Sequence, residues 1–173
     1  MDCAMAPTDM GSFECSNQCD ELCKSTYPPS YLFSLSELYP GLTDAERALV
    51  AAEPAKMVQA YKLSWKAEDL CNKIYLSSRL NDESDACRHF VWSSLLVNDV
   101  GEDFSKRVLN AHEQAKDQPE DQKEMDSHNN EVGLKAAKSM IKSKTFFEDR
   151  LLGEFEKHLK KKDFIILKER KAQ

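Results

Sequence analysis

Between Asp85 and Gly133 three polar signatures interrupt sequence that otherwise reads as helix: DACRHFVW at 85–92, AHE at 111–113 and MDSHNNEVG at 125–133. Three of the four histidines and two adjacent asparagines fall there, each group on its own expected helix. Helices that bury such side chains must turn them toward one another, because a buried polar group without a partner costs about 1–3 kcal/mol. The chain is therefore expected to be helical with an internal polar pocket, and that pocket is the candidate active site.

Ala, Leu, Lys and Glu abound, only five glycines are present, and β-branched residues rarely occur in runs, so local propensity favours helix. With 173 residues and 41% apolar content, one core fits better than two. The expected fold is mainly α: a single-domain bundle of about six helices over 43–173, with its motif core at 84–142, behind an irregular cysteine-rich strap over 1–42. Thr43 followed by Glu46 forms a capping box for a short helix over 44–52, and Pro54 suits the first turn of the next. A long helix is predicted from Ala55 to about Arg79, with Trp65 on its core stripe. Further helices are predicted from Ser84 to Val100, ending at Gly101, from Glu102 to about Lys116, from Glu124 to Lys142 and from Thr145 to Lys161, with a loop over 117–123. The closing run DFIILKER reads as a lone short strand or a last helical turn.

A net charge of −6 repels phosphates, so nucleic acid is not an expected partner. The last 24 residues are basic, with eight Lys or Arg against four acids, which reads as a solvated helix face and tail. No apolar run has the ~20 residues of a membrane span, and the first residues lack the basic and apolar regions of a signal peptide. Six cysteines (Cys3, Cys15, Cys19, Cys23, Cys71, Cys87) nevertheless point to disulfides and an extracytoplasmic site, periplasmic or secreted, reached after removal of a leader or without one. Cys15, Cys19 and Cys23 recur every four residues and point the same way on a helix, so each is expected to pair with one of Cys3, Cys71 and Cys87 and to staple the strap to the core. A zinc site is the rival, without the familiar CxxC spacing.

On the Ser84–Val100 helix, Asp85, His89, Trp92 and Leu96 share a side, and Arg88 lies four residues before Trp92. His112 and Glu113 point about 100° apart, so only one of them can enter a common site deeply. Asp126 and Asn130 share a face, with Asn129 beside them. Asn pairs are poor helix formers and Gly133 costs about 1 kcal/mol relative to Ala, so their presence implies polar demands and close helix approach.

The three signatures, in order and spacing, resemble those of a bacterial domain family of unassigned activity, often a C-terminal module of polymorphic-toxin and secreted proteins, with D-A-x-R-H-x-x-W, A-H-E and M-D-x-x-N-N-x-x-G. The resemblance covers 85–133 and implies Arg88, His89, Trp92, His112, Glu113, Asp126, Asn129, Asn130 and Gly133 as shared positions, whereas Cys87 and His128 fall at variable ones.

These groups suit a hydrolase of a cell-envelope component, peptidoglycan or phospholipid, of toxin or effector type, with an immunity or other partner protein. Glu113, at a helix C-terminus whose negative pole raises a carboxyl pKa, is the expected general acid or base. His89, His112 and Asp126 complete the catalytic set, and Arg88, Trp92, Asn129 and Asn130 bind substrate. A divalent metal, if used, would lie on His89, His112 and Asp126, but no HxxxH or HExxH pair occurs and metal-free chemistry is expected. The alternative is a non-catalytic extracytoplasmic module in which the same groups form a sealed network that locks helix packing.

Overall fold

A computed structural model describes residues 41–76 and 79–168. They form a bundle of six helices, with no strand among the described residues: α1 (Asp44–Ala52), α2 (Pro54–Cys71), α3 (Glu83–Val100), α4 (Glu102–His112), α5 (Glu120–Lys142) and α6 (Glu148–Lys160). None of these helices is long and apolar enough to cross a membrane.

The predicted capping box is present: Thr43 Oγ1 accepts from Glu46 N at 3.0 Å, and Thr43 N donates to Glu46 Oε2 at 2.7 Å. The Thr43 hydroxyl also donates to Ala111 O at 2.7 Å, tying the start of α1 to the end of α4. Pro54 opens α2, where its missing N–H costs nothing. Gly101, at φ 84, supplies the left-handed residue that separates α3 from α4.

The centre is α3. From Ser84 to Val97 every residue but Arg88 is buried, so this helix has no solvent face of its own. α2 packs on it through Met57, Ala60, Leu63, Ala67 and Cys71. Trp65 lies two residues from both Leu63 and Ala67, about 200° around the helix, and is 56% exposed instead of joining the core. α2 also ends at Cys71, short of Arg79. The amides of Ile74 and Tyr75 both donate to Cys71 O and turn the chain toward α3, which leaves Leu76 in solvent.

Cys71 and Cys87 form a disulfide with each other, with their Cα atoms 6.0 Å apart. This corrects the expectation that each pairs with the N-terminal row: two helices already packed side by side bring these thiols together without help from a strap. Cys3, Cys15, Cys19, Cys23 and nearly all of the strap lie outside the described residues.

α5 crosses α3 where Gly133 meets Ser93 and Phe90. A Cβ on Gly133 would stand 2.1 Å from Ser93 Oγ and 2.4 Å from Phe90 O, and Ser94 Oγ donates to Gly133 O at 3.1 Å. Pro119 precedes α5, which starts at Glu120, four residues earlier than the sequence suggests; α4 stops at His112 and α6 starts at Glu148. Residues 163–168 are neither strand nor helix. Phe164 packs with Phe90 and Phe155, and the amides of Leu167 and Lys168 both donate to Asn81 O.

Gly133→Ala should cost about 2 kcal/mol or more in urea unfolding, since backbone at Phe90 blocks the added methyl and outweighs the helix-propensity gain. Wild-type stability in that variant would show that α3 and α5 do not approach so closely. Non-reducing peptide mapping should return Cys71 joined to Cys87, and finding either cysteine joined to Cys15, Cys19 or Cys23 would overturn the pairing.

Candidate functional site

Three helices and two connections build the polar cluster. α3 supplies Asp85, Arg88 and His89, α5 supplies Asp126 and Asn130, Glu113 caps the C-terminus of α4, and Gln118 reaches in from the connection between α4 and α5. His89 is the hub, at 1% exposure. Its Nδ1 lies 3.1 Å from Asn130 Oδ1, and Asn130 Nδ2 donates to Glu113 Oε1 at 2.9 Å. Because the amide nitrogen serves the carboxylate, the amide oxygen faces the ring and Nδ1 carries the proton. The opposite ring nitrogen, Nε2, lies 2.9 Å from an Arg88 guanidinium nitrogen, 3.1 Å from Asp126 Oδ1 and 3.6 Å from Asp85 Oδ1.

Each carboxylate has its own supports. Asp85 accepts from Arg88 at 2.5 Å and from Asn81 N at 2.7 Å. Asn81 adopts a left-handed conformation, φ 72, to aim that amide. One Gln118 amide nitrogen donates to Glu113 Oε2 at 3.1 Å and to Asp126 Oδ2 at 2.8 Å, bridging the two acids. Asp126 Oδ1 is buried and lacks a hydrogen bond.

These surroundings shift the titrations in opposite directions. Burial, joined by the Arg88 and His112 charges, holds the His89 imidazole well below its ordinary range despite the Asn130 bond. Burial raises the Glu113 carboxyl, more than His112, Gln118, Asn130 and Arg88 lower it. Burial, with the charges of Glu113 and Asp85 adding to it, pushes Asp126 up to about 7. For Glu113 the main cause is desolvation, not the helix dipole that the sequence suggests.

Not every expected residue joins the cluster. His112 turns the other way, as its 100° offset from Glu113 requires: its Nδ1 pairs with buried Glu46 Oε1 at 3.0 Å and its ring packs edge-on against Trp92. Burial alone would lower His112 and raise Glu46, but their pairing wins on both sides, so His112 is raised and Glu46 lowered. Trp92 is 2% exposed and donates its indole N–H to Ala60 O at 3.0 Å, which makes it a packing residue between α2 and α4. Asn129 points to the C-terminal segment: its side chain donates to Ile165 O and accepts from Ile165 N, each at 3.0 Å. His128 meets Asp163 O at 2.8 Å. The His89, His112 and Asp126 metal set is therefore not assembled; Asp85 replaces His112, and the ligand atoms of Asp85, His89 and Asp126 all lie within 4.8 Å of one another. Sequence inspection misses Gln118, Asn81 and Glu46 as partners. Gln118 and Asn81 sit in connections without periodicity, and Glu46 is fully accounted for as a capping residue.

A cleft of about 170 Å³ opens between α4 and α5, with Glu113 and Asn130 on its wall beside Lys106, Asn110, Ser127 and Glu131. Among the described residues, Glu113 is the one ionisable group shared by this cleft and the His89 cluster.

Asp126 offers a test of this electrostatic arrangement. Its folded pKa of about 7 lies above the ordinary 3.8, so the folded chain holds a proton that the unfolded chain has released. The stability this group contributes is complete below pH ~4 and is lost as pH rises through ~7. In EDTA, Asp126→Asn should therefore gain about 2–4 kcal/mol on the wild type between pH 4 and pH 8 in urea unfolding. Parallel curves for the two proteins across that window would show that Asp126 ionises without penalty.

No curated protein and no solved structure matches the chain. Residues 47–162, which carry all the residues of the His89 cluster and most of the bundle, match a family described as a domain of unknown function (DUF6973). The chain belongs to this family.

Proposed function

We propose that the chain is a hydrolase in which Glu113 transfers the proton, acting outside the cytoplasm on a component of the bacterial cell envelope, peptidoglycan or phospholipid. The observation that carries this reading is the double membership of Glu113: it is wired through Asn130 to the buried His89 and, though only 4% exposed, it borders the cleft between α4 and α5. A carboxyl raised by burial keeps its proton to higher pH than a free one, which suits it to donate that proton to a leaving group and to recover it from water. Asn130 and Gln118 hold its two oxygens in place, so the carboxyl is oriented before any substrate arrives. Asp126 shares Gln118 with it, and the repulsion between the two acids favours one proton across the pair, an arrangement suited to acid–base chemistry. Lys106, Asn110, Ser127 and Glu131 around the cleft offer donors and acceptors to a polar substrate such as a glycan, a peptide or a lipid headgroup. The Cys71–Cys87 disulfide supports an extracytoplasmic site of action, where such bonds persist. A toxin or effector role, opposed by an immunity protein, would fit that location.

A second reading has its own support. Asp85, His89 and Asn130 are nearly inaccessible and each is hydrogen-bonded, as a network that only locks helices would be. Glu113→Gln separates the two, because the amide keeps shape and hydrogen bonding but cannot transfer a proton. Purified wild type should release soluble products from peptidoglycan or free fatty acid or headgroup from phospholipid vesicles. The folded variant should lose about 100-fold or more in kcat. Absence of turnover on both substrates by the wild type, or wild-type turnover by the variant, would count for the helix-locking role and against this proposal.

A further inference from the structure

The side of His89 that faces away from Glu113 poses a separate problem. Arg88 can only donate hydrogen bonds, so its contact with Nε2 at 2.9 Å requires a lone pair there; Asn130 Oδ1 can only accept, so Nδ1 holds the proton. Two independent neighbours thus select the same tautomer. Asp126 Oδ1 then stands 3.1 Å from that lone pair, buried in a residue of 7% exposure, without a hydrogen bond of its own. Asp85 Oδ1 faces the same point from 3.6 Å. Three electron-rich atoms directed at one spot repel unless a proton or a metal ion lies among them, and the Arg88 guanidinium contacts only two of the three.

We propose that Asp85, His89 Nε2 and Asp126 form a binding site for a divalent transition metal of the zinc class, for which the Arg88 guanidinium is the built-in competitor. One imidazole and two carboxylates form a donor set suited to zinc and its neighbours, and three protein ligands leave a coordination position open. The spacing fits as well: ligands at roughly 2.1 Å in a tetrahedral shell stand about 3.4 Å apart, close to the separations of 3.1 Å and 3.6 Å from Nε2. The surroundings are those of a metal ligand, since the Nδ1–H of His89 is committed to Asn130, which fixes the ring, and Asp126 Oδ2 is held by Gln118. Arg88 is the member that can leave. Its side chain is 22% exposed where those of His89 and Asp85 are 1% and 2%, so it can swing into solvent as the metal enters. This site does not depend on the hydrolytic reading, because Glu113 lies across the ring, 3.9 Å from Nδ1, and is not a ligand.

The test is calorimetric titration of ZnCl2 into the full chain, oxidised, freed of metal with EDTA and then of EDTA, at pH 7.5 without reductant. Wild type should bind one equivalent at this site. Asp126→Asn should weaken binding at least about tenfold while remaining folded by circular dichroism, as loss of an anionic ligand demands. Arg88→Met, which removes the competing charge but keeps the length, should tighten binding about threefold or more. Glu113→Gln should still bind one equivalent of zinc even if it is inactive on every substrate, because Glu113 is not a ligand, which separates this proposal from the hydrolytic one. No saturable binding below about 0.1 mM zinc, equal affinity in wild type and Asp126→Asn, or weaker binding in Arg88→Met would overturn the proposal.

Discussion

A neutral imidazole buried at the centre of the bundle governs the arrangement around it. α3 has no face to give to solvent, so the polar atoms of Asp85 and His89 must find partners inside the bundle or go without. The Nδ1–H of His89 is answered by Asn130 on α5, and Asn130 in turn reaches Glu113 at the end of α4. That chain of bonds sets where α5 and the α4 terminus lie relative to α3, and Gly133, one turn from Asn130, lets the two backbones approach closely enough for it to form. A half-satisfied version of the network would be worse than an apolar core, which ties the packing to the chemistry.

Adjacent polar residues divide the work between site and scaffold. Glu113 enters the cluster while His112, one residue before it, pairs with Glu46 and braces Trp92. Asn130 meets His89 while Asn129, 100° around the helix, clamps Ile165 and with it the segment that follows α6. Arg88 sits at the partly exposed edge of the cluster while His89 lies inside it. The same division extends to the ends of the chain's connections: Asn81 donates to Asp85 and accepts from Leu167 and Lys168, so the C-terminal segment and the cluster share one backbone unit.

The helices, their order, the capping box at Thr43 and Glu46 and the break at Gly101 were legible in the sequence, because they rest on local propensity and on hydrogen bonds between residues three or four apart. So was the meeting of His89, Glu113, Asp126 and Asn130, since buried polar groups at helical spacing have few places to go other than toward each other. Local pattern misjudged Trp65, which lies on the far side of α2 from the core, and it carried α2 beyond Cys71, because the turn that the Ile74 and Tyr75 amides make on Cys71 O leaves no periodic trace.

What the sequence by itself determined is the class of fold and the list of polar residues that have to be reconciled inside it, since composition and 3.6-residue spacing are properties of the chain alone. Only the tertiary structure decided which member of each adjacent pair faces His89, that Gln118 and Asn81 complete the cluster from connections, that Asp85 stands where His112 was expected, and that Cys71 bonds Cys87. Those choices depend on the rotation of each helix about its axis and on how closely neighbours approach, and both are fixed by packing between residues far apart in the chain.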